Sequence, residues 1–394
     1  METYDVVVVG ARCGGAPAAR LLAGQGLRVL LLDRGARGSD KLSTLYVHQP
    51  GVAFLRAWGV LDEVRATGAP PITELTYRVR DVVLRAPGPE VGGGNEAYAP
   101  RRGDLDAILG RAAEAAGVDV VHEASVTELV HERGRPAGLR YRKAGRWHEV
   151  RADLVVGADG LRSTVAGLVP AESYAVHPKL SCCVYGYWAG LDAGFEQHQA
   201  DGLWVGVIPT AGAHVVACYF RQSEFARVRV DVAGAHDRCL RAAAPSVAER
   251  LAGAERIGRL IGMGDQQNYF RTASGPGWAL VGDAGHHKDS LTARGITDAF
   301  VQADLLARAV AEAGSLRPAR LDARLAAYAR ERDRRMMPFY RSTLAVARLD
   351  VEAERLAELR RIAASPELRA RYGAAVAGVL TPEEYRLHDA ALAP

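Results

Sequence analysis

Lysine is almost missing from this chain. The four lysines are Lys41, Lys143, Lys179 and Lys288, and arginine carries nearly all the positive charge, for a formal net charge of only +4 over 394 residues. With so small an excess and no basic stripe, no nucleic-acid partner is implied. Cysteine is scarce too. Its five positions, Cys13, Cys182, Cys183, Cys218 and Cys239, are scattered, and no secretory leader precedes the first apolar strand, which points to a reducing, cytoplasmic setting. Cys182 and Cys183 are neighbours in an apolar stretch and read as strand residues rather than a redox pair. No apolar run approaches the ~20 residues that a membrane-crossing helix needs, so no membrane segment is expected. Internal repeats and low-complexity tracts are absent. Adjacent His286 and His287 suggest a metal pair, but neighbouring side chains diverge and no third ligand is near, so no metal is expected. What remains is a chain with enough residues for a large buried core, and long for one compact domain.

Glycine, by contrast, is abundant and falls into three informative segments. The first is Val6-Val7-Val8-Val9-Gly10-Ala11-Arg12-Cys13-Gly14-Gly15. Four successive valines read as a strand buried on both faces, as at the centre of a parallel sheet. The glycines make a tight turn, and a helix of small residues follows from Ala16 to Gly24. Pro17 is tolerated in its first turn, where an amide hydrogen has no intrahelical partner. Such a helix start aims free N–H groups and a positive dipole end at a phosphate. A second apolar strand, Val29 to Leu32, ends in Asp33, where a carboxylate accepts a ribose hydroxyl and argues for an unphosphorylated ribose. The pattern departs from G-x-G-x-x-G at its middle position, which is Arg12. Either the backbone keeps its path with the side chain turned outward, or the guanidinium itself pairs with a phosphate. A purely structural turn is the third reading.

The second segment, Val155-Val156-Gly157-Ala158-Asp159-Gly160, follows an expected hairpin: Gly138 to Tyr141, a turn at Ala144-Gly145, then Trp147 to Arg151. It reads as a buried strand closed by an Asp-Gly turn and a helix capped by Ser163, and a plain strand-to-helix turn accounts for its composition equally well. The third, Leu280-Val281-Gly282-Asp283-Ala284-Gly285-His286, closes a strand beginning at Trp278. Lys288 to Gly295 then lead into a helix whose apolar positions Val301, Leu305 and Ala309 recur at helical spacing. Between the first two segments, Arg101-Arg102-Gly103-Asp104-Leu105 opens another helix.

In this order and at these separations the segments resemble the FAD-contacting elements of the group A flavoprotein monooxygenases, the para-hydroxybenzoate hydroxylase family, in a short single-component form. The likeness covers residues 1 to about 340, and the third segment carries most of it, because a plain NAD-binding domain has no use for it. The resemblance implies an α/β fold: a Rossmann-type FAD-binding domain of the glutathione reductase kind over residues 1–72, 98–172 and 268–330. An antiparallel-sheet substrate domain, residues 73–97 and 173–267, would interrupt it, with a helical C-terminus over 331–394. It further implies FAD contacts from Gly10, Arg12, Cys13, Gly14, Gly15, Asp33, Arg34, Arg102, Val126, Gly282, Asp283, Gly295 and Ile296. Among these, Asp283 would accept from the ribityl chain, and Arg102 occupies the arginine of an R-x-x-L helix opening. The amides after Gly295 would face the flavin's pyrimidine edge and stabilise the charge of reduced flavin. The Asp159-Gly160 turn would lie near the pyrophosphate and the NAD(P)H site. Here the family's P-x-x-G-x-G is altered: Ser290 replaces the proline, and Ile296-Thr297 follow Gly295.

In the resembling enzymes NAD(P)H is a transient reductant of FAD, oxygen adds, and a flavin hydroperoxide oxidises an electron-rich ring. The expectation is therefore an FAD-dependent monooxygenase acting with O2 on an aromatic or polycyclic small molecule in specialised metabolism. The protein's share is to exclude water, aim the substrate and move a proton, so no catalytic triad is expected. Ser43 to Pro50 and the loop from His286 to Arg294 are expected beside the ring. His48 is the first candidate catalytic residue, as proton relay or substrate contact, with a structural hydrogen bond as the alternative. Lys288 is a candidate contact for an anionic substrate or the flavin, or a residue with a structural role only. Alternating Leu75, Tyr77 and Val79 predict a strand, as do Leu180 to Trp188, Leu203 to Ile208 and His214 to Arg221; together these would roof the flavin. Trp188, Trp204, Tyr187 and Tyr219 are the expected lining of the substrate pocket, with sheet core as the alternative. Ser365-Pro366 and Thr381-Pro382-Glu383-Glu384 predict helix starts, the latter as a capping box.

Other flavoprotein classes remain in view. Trp204-Val205-Gly206-Val207-Ile208-Pro209 echoes the W-x-W-x-I-P of flavin-dependent halogenases. Gly206 replaces the second tryptophan, however, and no lysine lies between Leu42 and Arg142, where that chemistry's lysine is expected. The same segment loosely matches an aromatic strand of the geranylgeranyl reductases, which use hydride chemistry on alkenes. A non-catalytic FAD-binding scaffold is the remaining reading. No oligomeric state is implied.

Overall fold

The computed structural model describes residues 2–38, 43 and 45–385. Strand β1 (Glu2–Val9) leads through the glycine turn to α1 (Gly15–Ala23), β2 (Val29–Leu32) and two helices, α2 (Gln49–Ala57) and α3 (Leu61–Ala66). The hairpin of β3 (Glu74–Val79) and β4 (Val82–Pro87) belongs to another sheet, and α4 (Arg102–Ala115) and β5 (Asp119–Val121) return to the first. A meander of β6 (Ser125–Glu132), β7 (Arg135–Lys143) and β8 (Arg146–Gly157) follows, then α5 (Thr164–Leu168). Ala144 and Gly145 join β7 to β8 with φ of 47° and 79°, both in the left-handed region that two-residue hairpin loops require. β8 is longer than the sequence suggested. Its first half pairs antiparallel with β7, and its second half, through Val155 and Val156, runs parallel to β1.

Next come β9 (Ser173–His177), β10 (Ser181–Ala189), β11 (Phe195–Ala200), β12 (Leu203–Thr210) and β13 (Ala213–Arg221). Helices α6 (Phe225–Val230), α7 (Val232–Ala243) and α8 (Pro245–Leu251) precede β14 (Glu255–Met263). Short strands β15 (Asn268–Arg271), β16 (Ser274–Gly275), β17 (Trp278–Leu280) and β18 (His286–His287) lead to α9 (Gly295–Ala313), α10 (Pro318–Val346), α11 (Ala353–Ala364) and α12 (Pro366–Ala377). Helix α10 is unbroken from Pro318, so the boundary drawn at residue 331 falls inside it.

In the first sheet, parallel strands stand in the order β17-β8-β1-β2-β5, with β16 antiparallel on β17 and β7 antiparallel on β8. Val6, Val7 and Val8 are fully buried because both faces are covered, one by α1, α4 and α9, the other by the meander and α5. The second sheet runs β14-β10-β13-β12-β11-β3-β4. It is antiparallel, as expected, except at one seam, where β11 meets β3 in parallel. The two strands come from separate insertions, so no tight turn constrains their direction. One face of this sheet packs on α7 and α8; the other carries Leu75, Tyr77 and Val79 and meets α11, α12 and the loop before α9. A small third sheet, β18-β15-β9, completes the set. Ser365 caps α12 by accepting from Leu368 N at 3.3 Å, and Thr381 and Glu384 exchange both bonds of a capping box at 2.7 and 3.2 Å. Among the described residues no helix is long and apolar enough to cross a membrane.

Candidate active site

The carboxyl ends of β1, β8 and β17 lie side by side, and the three glycine segments are the turns that leave them. Ala158 N donates to Val9 O at 2.8 Å and Val281 N to Gly157 O at 2.9 Å, so each segment is tied to its neighbour. Gly10 has a φ of 102°, and a Cβ there would lie 2.4 Å from Ala158 O. A Cβ on Gly15 would lie 1.8 Å from Gly10 O, so α1 reaches β1 this closely only through glycine. Gly14 differs: its Cβ would meet Val281 Cγ1 at 3.5 Å, an ordinary contact. The amides of Cys13, Gly14 and Gly15 donate to no protein group among the described residues, and they open α1 at its positive dipole end.

Arg12 Nη1 pairs with Asp106 Oδ2 of α4 at 2.9 Å, while Arg102 Nη2 reaches both oxygens of the same carboxylate at 3.1 Å. Cys13 Sγ donates to Asp106 Oδ1 at 3.3 Å. Asp106, which sequence reasoning passed over, therefore fixes both arginines beside the start of α1. Its signal was the i,i+4 spacing from Arg102. Asp33 closes β2, accepting from Ala11 N at 2.8 Å and from Gly35 N at 2.6 Å. Arg34, beside it, is exposed. An open cleft of about 430 Å³, mouth included, runs between Asp33, Arg12 and α4 toward His122. The Val126 side chain does not line that cleft. It is buried with Tyr141 and Leu139 beneath the first sheet, because alternation along β6 turns it to that core.

In the second segment, the Asp159 carboxylate accepts from Thr164 N at 2.6 Å and Val165 N at 3.2 Å, and Ser163 Oγ accepts from Ala166 N at 2.9 Å. Both side chains are spent on starting α5. In the third, Gly282 N donates to Gln302 Oε1 of α9 at 3.0 Å. The half-buried Asp283 carboxylate takes no hydrogen bond among the described residues. Helix α10 fastens this segment from behind: Tyr328 OH donates to Leu280 O at 2.6 Å, and the fully buried Arg332 donates to Gly285 O at 2.9 Å and Arg271 O at 2.7 Å. The amides of Gly295, Ile296 and Thr297 are unpaired among the described residues; Asp298 N is the first of the helix to bond, to Arg294 O at 2.9 Å. Gly295 is exposed, and a Cβ on it would meet nothing within 4 Å among the described residues, whereas the Ile296 side chain is buried in the core below.

His48 immediately precedes α2. Its backbone N donates to Thr297 Oγ1 at 3.1 Å, and its ring Nε2 lies 3.2 Å from Thr292 O. A carbonyl can only accept, so Nε2 carries the proton. Burial, helped by the nearby Arg294 cation, pushes this imidazole down to about 3. A neutral ring whose one proton is committed to a carbonyl fastens the loop before α9, which is the geometry of the structural alternative. Thr44, in the same expected stretch, lies outside the described residues. Lys288 forms a buried ion pair with Asp298, joined by Arg294 at 3.3 Å. Burial lowers the Lys288 ammonium; it would raise Asp298 by itself, but the two cations outweigh it and hold that carboxyl low. Lys288 is thus neutralised within the protein rather than left for an anionic ligand. The His286 ring packs on Phe270 at 4.5 Å and His287 Nδ1 bonds to Gln267 O, so the two histidines diverge.

The second sheet meets this floor at Tyr219, whose hydroxyl lies 3.0 Å from Ser290 Oγ in the loop before α9. Burial pushes the Tyr219 hydroxyl well above its ordinary value, so it stays neutral. Trp204 pairs across the ladder with Tyr219 and stacks on Tyr77 at 5.3 Å. Tyr46 stacks on Phe195 at 4.5 Å. Tyr187 is farther along the same face, half-buried beneath the Arg101 guanidinium at 3.9 Å. Three of the four expected lining residues therefore share a face, with Trp204 and Tyr219 together and Tyr187 apart; Trp188 is turned by strand alternation to the opposite face, where it stacks on His236 of α7 at 5.1 Å. Helices α11 and α12 cover the β3–β4 half of that face through Leu356, Ile362 and Tyr372.

This donor set fits FAD. Unpaired amides stand at two helix starts, an acidic residue ends β2, an uncommitted carboxylate sits at Asp283, and the turn between them is packed so closely that only glycine serves.

A family model described as FAD binding domain matches residues 3–343. The chain is similar to digeranylgeranylglycerophospholipid reductase 2 of Methanothermobacter thermautotrophicus, 32% identical over 203 residues, which is 49% of each chain. It thus spans about half the length of that relative. It is also similar to the digeranylgeranylglycerophospholipid reductase of Methanosarcina mazei, 26% identical over 334 residues, 79% of this chain and 76% of that one. Among solved structures it is similar to the flavin-dependent brominase Bmp2, with a TM-score of 0.85 and 17% identity over 99% of this chain and 98% of that one. Another is PqsL of Pseudomonas aeruginosa, described as a probable FAD-dependent monooxygenase, with a TM-score of 0.77 and 22% identity over 91% and 100% of the two chains. At these identities the structural likeness establishes a shared fold.

Proposed function

The chain belongs to the FAD binding domain family, and on that premise we propose that this FAD-dependent oxidoreductase is a monooxygenase that oxidises an aromatic or polycyclic small molecule with NAD(P)H and O2. The observation that supports this reading is the pairing of the α9 start with an aromatic wall. Its unpaired amides, headed by the exposed Gly295, and the aromatic face carrying Tyr219, Trp204 and Phe195 are linked through the contact of Tyr219 with Ser290. That face presents a flat apolar wall to a ring, and water would be displaced as flavin and substrate fill the space beside it.

When bound, FAD supplies the redox chemistry, taking a hydride from the nicotinamide and passing electrons to oxygen. The chain's own residues bind and orient. The amides of Cys13 to Gly15 and the α1 dipole hold the diphosphate. Arg12 and Arg102, held together by the carboxylate of Asp106, bring their guanidinium groups beside it. Asp33, already oriented by two backbone amides, takes the ribose, and Asp283 accepts from a hydroxyl of the ribityl chain. The amides of Gly295 and Ile296 favour negative charge at the pyrimidine edge. The neutral Tyr219 hydroxyl can orient a ring substituent without taking a proton from it. A small-molecule aromatic partner and a cytoplasmic setting belong to the same proposal.

The test is turnover of the FAD-loaded protein with NADH or NADPH and a panel of hydroxylated naphthalenes and anthracenes under labelled dioxygen. A product carrying one labelled oxygen supports the reading. The reductases among its relatives favour a second one, hydride delivery to an alkene of a polyprenyl chain. Saturation of geranylgeranyl chains by the reduced protein without oxygen, and no labelled product, establishes that alternative instead.

A further inference from the structure

Strand β12 turns Trp204, Gly206 and Ile208 toward the loop before α9, and Val205 and Val207 toward α7. Gly206 is buried, yet a Cβ built on it would meet no atom of the described residues within 4 Å. Buried and unfilled together describe an internal space over the middle of the sheet. Glycine in this sheet is not automatically empty: a Cβ on Gly186 of β10 would lie 2.8 Å from Leu260 Cδ2. The rungs on either side of the space are filled, by Trp204 with Tyr219 and by Ile208 with Val215. On its own rung Gly206 faces Ala217 of β13, and beyond Ala217 stands Tyr185. Its partner on β11 is Gln197, whose half-buried amide bonds to no protein group among the described residues. Leu291 and Ala293, from the loop that opens α9, belong to the same apolar cluster.

We propose that Gly206 is a specificity-determining residue: the space before it seats a ring of the substrate against the sheet, and the Gln197 amide bonds a polar group at that ring's edge. The proposal rests on reading this face as the roof of the substrate site. It names the class more closely, as a neutral fused aromatic bearing a hydroxyl or carbonyl. Tyr187, Val215 and Ile208 on one flanking rung, and Cys183, Tyr219 and Trp204 on the other, carry no formal charge. A charged ring seated among these side chains would be stripped of water, and the cation nearest them, Arg101, is already stacked on Tyr187. The one amide, able to donate and accept, suits a hydroxyl or a carbonyl equally. A side chain at position 206 occupies the same space from the sheet side, so its size sets the largest ring admitted.

The experiment titrates FAD-loaded wild-type protein, Gly206→Val, Gly206→Trp and Gln197→Leu with phenol, 2-naphthol and naphthalene, following perturbation of the flavin absorbance. Wild type is expected to bind 2-naphthol, with Gly206→Val weakening it by about tenfold and Gly206→Trp by more, while FAD affinity from fluorescence quenching stays within about twofold. Gln197→Leu should weaken 2-naphthol by about tenfold and leave naphthalene unchanged. The valine variant keeps the test valid where tryptophan prevents folding, since a β-branched residue suits a strand. Unchanged 2-naphthol binding in Gly206→Val with FAD retained overturns the proposal, as does absence of binding to wild type. If 2-naphthol binds in this pattern but no labelled oxygen enters it, the pocket stands and the monooxygenase reading falls.

Discussion

Replacing Gly15 and Gly14 one at a time by alanine separates what the fold demands of the first turn from what chance placed there. A Cβ on Gly15 would stand 1.8 Å from Gly10 O, where ordinary contact begins at 3.4 Å, and the obstacle is backbone rather than a movable side chain. Gly10 cannot yield easily, because its own Cβ position is 2.4 Å from Ala158 O in the next segment. Helix α1 must therefore move outward, taking the amides of Cys13 to Gly15 with it. Overpacking of this kind costs about 1–3 kcal/mol. Gly14, with φ of −90° and its nearest neighbour at 3.5 Å, accepts a methyl group without strain, so the change there should stay within about 0.5 kcal/mol or stabilise slightly. The assay is urea unfolding of the apoprotein, paired with FAD affinity from flavin fluorescence quenching. Gly15→Ala should lower the midpoint and weaken FAD by about tenfold or more, a 1.4 kcal/mol loss. Gly14→Ala should leave both nearly unchanged. A Gly15→Ala protein with wild-type midpoint and affinity, or equal damage at both positions, refutes the reasoning.

Three further outcomes are expected. Arg12→Ala should cost only about 1 kcal/mol, since Arg102 still answers Asp106, whereas Asp106→Ala leaves both arginines, Arg102 half-buried, without that carboxylate and should cost about 2–3 kcal/mol, both read from unfolding midpoints. Asp298→Asn leaves Lys288 and Arg294 buried without their shared counter-ion and should destabilise more than Lys288→Met, which keeps the Arg294–Asp298 pair; the reverse order in thermal melts contradicts the assignment. Burial lowers His48 to about 3 and His236 to about 4, so the folded protein resists protons that the unfolded chain takes up near 6.5. Stability from these groups is complete above that value and falls as pH drops below it, by up to about 1.4 kcal/mol per pH unit for each histidine. Urea midpoints measured from about pH 7 to about pH 4.5 should fall accordingly, and a flat profile would show that these rings are not buried neutral.

The parts legible in the sequence are those whose cause is local. Four valines announce a doubly covered strand, Ala144-Gly145 a hairpin turn, and Thr381 with Glu384 a capping box, and each stands where its chemistry puts it. The glycine turns were readable because close backbone approach leaves no other residue. What stayed hidden depends on distant partners. β11 escaped notice because Glu196 and His198 make it look polar, yet the buried Glu196 carboxylate is answered by Arg250 of α8 at 2.8 Å. β14 is an edge strand, mostly exposed and carrying Arg256 and Arg259, so it lacks an alternating apolar face. The acceptor of the His48 ring, Thr292, is 244 residues away, so only the fold reveals that bond. The hold of Arg332 and Tyr328 on the third glycine segment has no trace in spacing or composition.

The central claim is that the crevice at the ends of β1, β8 and β17 holds FAD and uses it to activate oxygen. Rapid-mixing absorbance tests it most directly. The FAD-loaded protein is reduced without oxygen and then mixed with oxygenated buffer, with and without 2-naphthol. The account predicts one FAD retained per chain and an oxygen adduct that absorbs before the oxidised spectrum returns. Reoxidation in a single featureless step under both conditions would contradict oxygen activation, and a colourless protein that takes up no FAD would contradict the site itself.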